Sequence, residues 1–220
     1  MPRPVIFDLF HTLIDGADSE RDRVVGEMAL MVGVEPAALV DAYHATWRDR
    51  MLRWDVAETV LVLAGRLGGT PTEEQVARAA AHRRELATRL LGRVAPETLA
   101  VLDALRADGH PLGLISNATA ETAEAWPAGP LARRFDAAVF SCEVGVAKPD
   151  PAIYRAAAER LGVDASDCVF VGDGADGELA GARAAGLTVI RTTEHRDSDP
   201  DWTGPALASL GELPALLGRA

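Results

Sequence analysis

Four stretches of this 220-residue chain place side chains that handle anions and cations beside apolar runs. Asp8 follows Val5-Ile6-Phe7 in "VIFDLFHTL", and Ser116 and Asn117 follow "LGLI". Asp173 follows "VFVG" with Asp176 and Glu178 close behind, and Lys148 stands in "VGVAKPDPAIY". A carboxylate so placed serves as a nucleophile or as a metal ligand. A hydroxyl, an amide and the backbone N–H groups that open a helix make a cradle for an oxyanion. Lys148 is the only lysine of the chain, the remaining basic side chains being arginines and histidines. Its expected role is a compact point charge beside a carboxylate or phosphate.

The elements that must position these residues follow from the apolar pattern. Val5-Ile6-Phe7 reads as a buried strand over 4–8 with Asp8 at its carboxyl end, the end that faces the ligand crevice in an open α/β sheet. From Ser19 to about Arg93 the period is helical, broken at Gly33 to Pro36 and at Gly68 to Pro71, with Thr72 as the N-cap of a long helix. After Pro96 the pattern alternates: helix 96–108, strand 111–116, helix 119–126, strand 137–141, helix 151–161, strand 168–173, helix 178–185, strand 188–192. Such alternation predicts an α/β fold, a Rossmann-like parallel sheet with helices on both faces. The expected organisation is a core from 1–16 and 94–220 and a small all-helical cap from 17–93. Residues 194–205 read as a long polar loop.

The net charge of −11 repels nucleic acid and anionic lipid, so neither is an expected partner. Cys142 and Cys168 lie next to strand-like runs and read as small core residues, not as a disulfide or metal pair. With no signal-like leader and no apolar run near the ~20 residues of a membrane span, the expectation is a cytoplasmic protein, monomeric or homodimeric.

Together "FDLFHTL", "LISNA", "KPDPAIY" and "VFVGDGADGELAGARAAGL", in this order, resemble the four motifs of the haloacid dehalogenase superfamily of hydrolases, in the subgroup with a helical cap inserted after the first motif. The resemblance implies Asp8 as nucleophile, forming an aspartyl-phosphate on a small organic phosphate ester. It implies Mg²⁺ held by Asp8, the backbone carbonyl of Phe10 and the fourth-motif acids Asp173 and either Glu178 or Asp176. Lys148 and Mg²⁺ would offset the repulsion between phosphate and carboxylate. Thr12, Ser116, Asn117 and Lys148 would hold the phosphate or orient the loop around it, and Arg48 in the cap is a substrate candidate alongside Arg50 and Arg53.

The chain departs from the phosphatase pattern at Phe10, where an aspartate ordinarily protonates the leaving alcohol. His11 is a candidate substitute acid, since imidazole titrates near neutrality; the competing reading turns it away from the cleft to pack under the cap hinge. The dehalogenase branch carries an aromatic at the position of Phe10, because halide departs without a proton. A 2-haloacid-type dehalogenase is therefore the alternative, and a weakly catalytic or non-catalytic ligand- or partner-binding relative is a third reading. The fourth-motif acid expected four residues after Asp173 falls on Gly177, so Glu178 must reach across the offset if a metal is bound. Trp47, Met51 and Trp54 read as a packed helical stripe.

Overall fold

The computed structural model describes residues 2–218; Met1, Arg219 and Ala220, which the expected core includes, lie outside the described residues. The chain begins with β1 (Val5–Phe7), fully buried as its β-branched and aromatic composition requires. Five helices follow: α1 (Asp18–Val32), α2 (Pro36–Ala45), α3 (Trp47–Leu52), α4 (Val56–Arg66) and α5 (Glu73–Gly92). Then come α6 (Pro96–Ala107), β2 (Leu112–Ser116), α7 (Ala120–Ala125), β3 (Ala137–Phe140), α8 (Ser141–Val144) and α9 (Pro151–Leu161). The chain ends with β4 (Val169–Gly172), α10 (Glu178–Ala184), β5 (Thr188–Thr192), β6 (Ala206–Leu207) and α11 (Leu213–Leu217).

All strand pairs are parallel, in the order β3-β2-β1-β4-β5-β6. The order reverses between β1 and β4, and ligands of open α/β sheets bind outside the carboxyl ends at such a switch point. Asp8 and Asp173 are the residues that leave β1 and β4 there. One face of the sheet buries Val5, Phe7, Leu114 and Val171 against Leu102 and Leu105 of α6 and Leu213 of α11. The other buries Ile6, Ile115 and Phe170 against Ile153 and Tyr154 of α9 and Leu179 of α10. Alternate residues of each strand serve opposite faces, as the period of two demands.

Residues 17–93 contain no strand among the described residues and bury an apolar cluster of their own, with Val24, Met28, Leu39, Leu63 and Leu86 at its centre. Helix α5 starts as expected at Thr72, whose hydroxyl accepts from the Gln75 amide while the Gln75 side chain accepts from the Thr72 amide. No helix among the described residues is long and apolar enough to cross a membrane. Both cysteines are free; Cys168 is buried against the sheet and Cys142 half-buried.

Two differences from the sequence reading concern the last third of the chain. The strand β6 and helix α11 were not expected. The first is a two-residue ladder held by Arg191 and Thr192, too short for a period-two signal. The polar loop before β6 is tied down: the Ser198 amide donates to the Asp173 carbonyl, and the Trp202 indole donates to the Pro205 carbonyl.

Candidate active site

Lys148 projects into the switch point and is buried, its ammonium donating to Oδ1 of Asp8 and to Oε2 of Glu178 at 2.5 Å. Asp8, Asp173 and Glu178 are all buried, and each offers an oxygen within 4.8 Å of the others. Three elements create this meeting. β1 delivers Asp8, β4 delivers Asp173, and the first residue of α10 is Glu178. Glu178 reaches inward because Gly172 leaves room for it: a Cβ at Gly172 would lie 2.1 Å from Glu178 Oε1. Gly181, one turn further on, lets α10 lie against the loop that carries Lys148, since a Cβ there would sit 2.6 Å from the Pro149 carbonyl. The Tyr154 hydroxyl donates to the Glu178 carbonyl at 2.8 Å and fixes the start of α10.

The electrostatics of this cluster are lopsided, with three buried carboxylates facing one ammonium. Burial works against the charged form of Lys148, but the carboxylates of Asp8 and Glu178 outweigh it and hold its pKa above that of an ordinary lysine. Burial raises the Asp8 pKa, partly countered by Lys148 and reinforced by Asp173. Glu178 is pushed up to about 8, by burial first, against the pull of Lys148 and with the help of Asp8. One ammonium does not neutralise the set. A divalent oxygen-seeking cation fits it, because the donors are three buried carboxylates whose oxygens lie within 4.8 Å of one another and the excess charge is negative. Remaining oxygens are already oriented: Glu178 Oε1 accepts from the Gly174 amide at 3.0 Å, and Asp173 Oδ2 from the Ser198 hydroxyl at 2.5 Å.

The cavity above Asp8 has a volume of about 220 Å³, and Phe10, His11, Ser116, Asn117, Lys148 and Asp176 contribute to its wall. Ser116 is buried, and its hydroxyl has no hydrogen-bond partner among the described residues. Several expectations are revised. Asn117 does not present its amide to a ligand: Nδ2 donates to the Lys148 carbonyl at 3.1 Å and to Asp176 at 3.2 Å, and Oδ1 accepts from the Lys148 amide at 2.8 Å. Its role is to clamp the loop that aims Lys148. The amide of Ala118 is likewise taken, by the Ser141 hydroxyl at 3.0 Å. Asp176 stands outside the carboxylate cluster, in a left-handed conformation at φ 55°, with its side chain engaged by Asn117. Thr12 is fully buried, and its hydroxyl makes no hydrogen bond among the described residues, so it does not orient the loop in the manner expected.

His11 lines the cavity instead of turning away from it, because its φ of 62° reverses the projection that a regular backbone would give. Its Nδ1 accepts from the Gly16 amide at 3.3 Å, and its Nε2 faces the Arg196 guanidinium at 3.0 Å. A neutral imidazole has a single acceptor nitrogen, so the ring accepts from only one of these groups, and the Asp15 and Asp18 carboxylates lie 3.9 and 3.7 Å from its nitrogens; both nitrogens are thus engaged within the protein.

Arg48 is exposed and is absent from the cavity wall, as is Arg53. Arg50 is buried against Tyr43, with Nε and Nη2 donating to the Tyr43 carbonyl at 3.1 and 2.8 Å. The residues of 17–93 that do reach the cavity are Arg21 and Trp47. The packed stripe therefore holds for Met51 and Trp54, which are buried or half-buried in the helical segment, and fails for Trp47. Arg21 stacks its guanidinium 4.1 Å from the centroid of Phe10. Sequence reasoning missed Arg21, Arg196 and Ser198 because helical period and loop composition say nothing about which residues fold back over the sheet. The aromatic at position 10 was the one available signal for Arg21, since a cation is a preferred neighbour for an exposed ring face.

The model of the haloacid dehalogenase-like hydrolases matches residues 3–186. The chain is 27% identical over 230 residues to (S)-2-haloacid dehalogenase 1 of Pseudomonas sp. (strain CBS-3), covering 99% of this chain and 97% of the other. It is 31% identical over 209 residues to phosphoglycolate phosphatase of Escherichia coli O157:H7, covering 87% of this chain and 81% of the other. Among solved structures, it is similar to a 2-haloacid dehalogenase from Pseudomonas syringae pv. Tomato DC3000, with a TM-score of 0.68, 27% identity, and coverage of 100% and 99%.

Proposed function

Because the chain belongs to the haloacid dehalogenase-like hydrolases, we propose that it is a Mg²⁺-dependent phosphatase of a small organic phosphate, with Asp8 as nucleophile. The observation that carries this reading is the charge imbalance of the buried cluster: Asp8, Asp173 and Glu178 against Lys148 alone. An anionic haloacid entering without a cation would meet further repulsion there. Asp8, Asp173, Glu178 and the Phe10 carbonyl would hold the ion, which supplies charge neutralisation for the transferring phosphoryl group.

The protein's own residues divide the remaining work. Lys148 occupies Oδ1 of Asp8, fixing the carboxylate and leaving Oδ2 to attack phosphorus. As the Asp8–phosphorus bond forms, the bond from phosphorus to the alcohol oxygen breaks, giving an aspartyl-phosphate. The Ser116 hydroxyl, without a hydrogen-bond partner among the described residues, donates to a phosphoryl oxygen. Water then attacks the aspartyl-phosphate, releasing phosphate and restoring Asp8. Phe10 transfers no proton, and both ring nitrogens of His11 face groups of the protein itself, Gly16 and Arg196, so the leaving alcohol takes its proton from solvent. Substrates with acidic leaving groups are therefore favoured.

Phe10 and the dehalogenase relatives support a second reading, cleavage of a carbon–halogen bond through an ester of Asp8. A panel of phosphate esters and 2-haloacids, assayed with Mg²⁺ and with chelator, separates the two. Turnover of phosphate esters that vanishes in chelator and in Asp8→Asn is expected. Haloacid turnover in chelator would overturn the phosphatase reading, and inactivity on the whole panel would favour a binding protein.

A further inference from the structure

The loop between β5 and β6, residues 193–205, supplies no group to the chemistry proposed above, yet it touches that site at two places. Ser198 holds Asp173 from two atoms: its amide donates to the Asp173 carbonyl at 3.2 Å, and its hydroxyl donates to Oδ2 at 2.5 Å. Gly174 lets the loop lie this close, since a Cβ there would sit 2.4 Å from Asp199 Cβ. Arg191 of β5 stiffens the span from within, donating to the Asp197 carboxylate at 2.8 Å and to the Asp199 carbonyl.

The second contact is made by Arg196, two residues before Ser198. Its Nη1 donates to Asp18 Oδ2 and faces His11 Nε2, each at 3.0 Å. Asp18 opens α1 just past the crossover from the sheet to the helical segment, where Ala17 is left-handed at φ 51°. Gly16 in that crossover presses on the His11 ring, a Cβ there lying 2.1 Å from Nε2. The same turn of α1 carries Glu20, paired with Arg93 at the return crossover, and Arg21, which lies over Phe10 in the cavity wall. A shift of this turn therefore moves both crossovers and the overhang above Asp8.

The Arg196–Asp18 pair is half-exposed or more on both sides, so as a stabilising contact it is weak. What distinguishes it is its place. One short loop joins a buried carboxylate of the cation cluster to the turn that aims the helical segment. We propose that this loop is a strap in which Ser198 and Arg196 are positioning residues, so that a cation taken up at Asp173 and the seating of the segment over the cavity favour each other. The proposal rests on the Mg²⁺ of the phosphatase reading and is independent of which bond the protein breaks. Such coupling is reciprocal, and a pair of this exposure limits it to roughly fivefold.

Amide exchange and calorimetry test it without depending on turnover. In the wild-type protein, saturating Mg²⁺ is expected to slow exchange of amides 21–24, in the first hydrogen-bonded turn of α1, by about twofold to fivefold. Arg196→Met and Asp18→Asn change the local charge in opposite senses. Through charge alone, the first would tighten Mg²⁺ binding and the second would weaken it. The strap requires both to weaken it, by about twofold to fivefold, and both to abolish the slowing, with Arg196→Lys retaining part of each effect. Ser198→Ala, whose backbone contact with Asp173 persists, is expected to lose the slowing even at saturating Mg²⁺. Should Arg196→Met fail to fold, Asp18→Asn carries the exchange readout. Tighter or unchanged Mg²⁺ binding in folded Arg196→Met, or slowing that survives in either folded variant, would overturn the strap and leave the phosphatase reading standing. Absence of Mg²⁺ binding by the wild-type protein would overturn both.

Discussion

Under the proposed phosphatase chemistry, Phe10 sets the demand that this site places on a leaving group, and its surroundings set what a repair would achieve. General-acid assistance contributes ~10²–10⁴-fold, chiefly where the alcohol is a poor leaving group. Phe10→Asp is therefore expected to raise turnover of alkyl phosphates far more than that of aryl phosphates. The gain should fall near the lower figure, because the new carboxylate would face the Arg21 guanidinium, which lowers its pKa and weakens it as an acid. Steady-state kinetics on a matched alkyl and aryl pair checks this, and equal stimulation of both would remove protonation as the role of position 10. Glu178 makes a second prediction at the same scale. Its pKa in the folded protein, about 8, lies above the ordinary value of 4.5. A carboxyl group whose pKa rises on folding contributes stability that is present below the unfolded value and lost as pH climbs through the folded one. In chelator the melting temperature is expected to fall between about pH 4.5 and 8, and saturating Mg²⁺ is expected to flatten the decline. A melting temperature independent of both pH and Mg²⁺ over this window would contradict the charge imbalance.

Elements decide whether those residues meet. The approach of α10 to β4 depends on Gly172, since any Cβ there overlaps the Glu178 carboxylate. Gly172→Ala should drive Glu178 out of the cluster, weaken Mg²⁺ binding at least tenfold and lower stability by ~1–3 kcal/mol, the range for overpacking a close contact. Magnesium titration and denaturant melts measure the two effects separately, and unchanged Mg²⁺ affinity would exclude Glu178 as a ligand. The loop between β5 and β6 contributes in the same way. Ser198 orders Asp173 through its hydroxyl, and Arg196 joins His11 to Asp18 at the start of α1.

Across the whole molecule the helical segment is joined to the sheet by a buried ion pair, Arg83 on α5 with Glu121 on α7, whose side chains are 5% and 3% exposed. Exposed pairs such as Arg84 with Glu124 flank it and contribute little. Removing one member of a buried pair strands the other, at a cost of ~3–5 kcal/mol. Glu121→Gln is thus expected to lower the denaturant midpoint by a corresponding amount with little change in m, whereas Glu124→Gln should leave it nearly unmoved. Similar midpoints for the two variants would mean that the buried pair does not fasten the segment to the sheet.

The sequence by itself determined the alternating α/β order, the strand ends that carry Asp8, Ser116 and Asp173, and the importance of a solitary Lys148. Each of these is a local signal: apolar period fixes the element, and the first polar residue after a strand falls at its carboxyl end. Tertiary structure decided the rest. Glu178, not Asp176, joins the cluster, because the turn after Asp173 passes through the left-handed region at Gly174, Asp176 and Gly177 and starts α10 at Glu178. Asn117 became a clamp, and His11 was engaged by Gly16 and Arg196, because each met a partner far away in the chain or across a strained turn. Arg21 rather than Arg48 reached the cavity above Asp8, since which face of a helix in 17–93 overhangs the sheet is set by how the helices pack together. Helical period records only that a face is buried, and not what it is buried against.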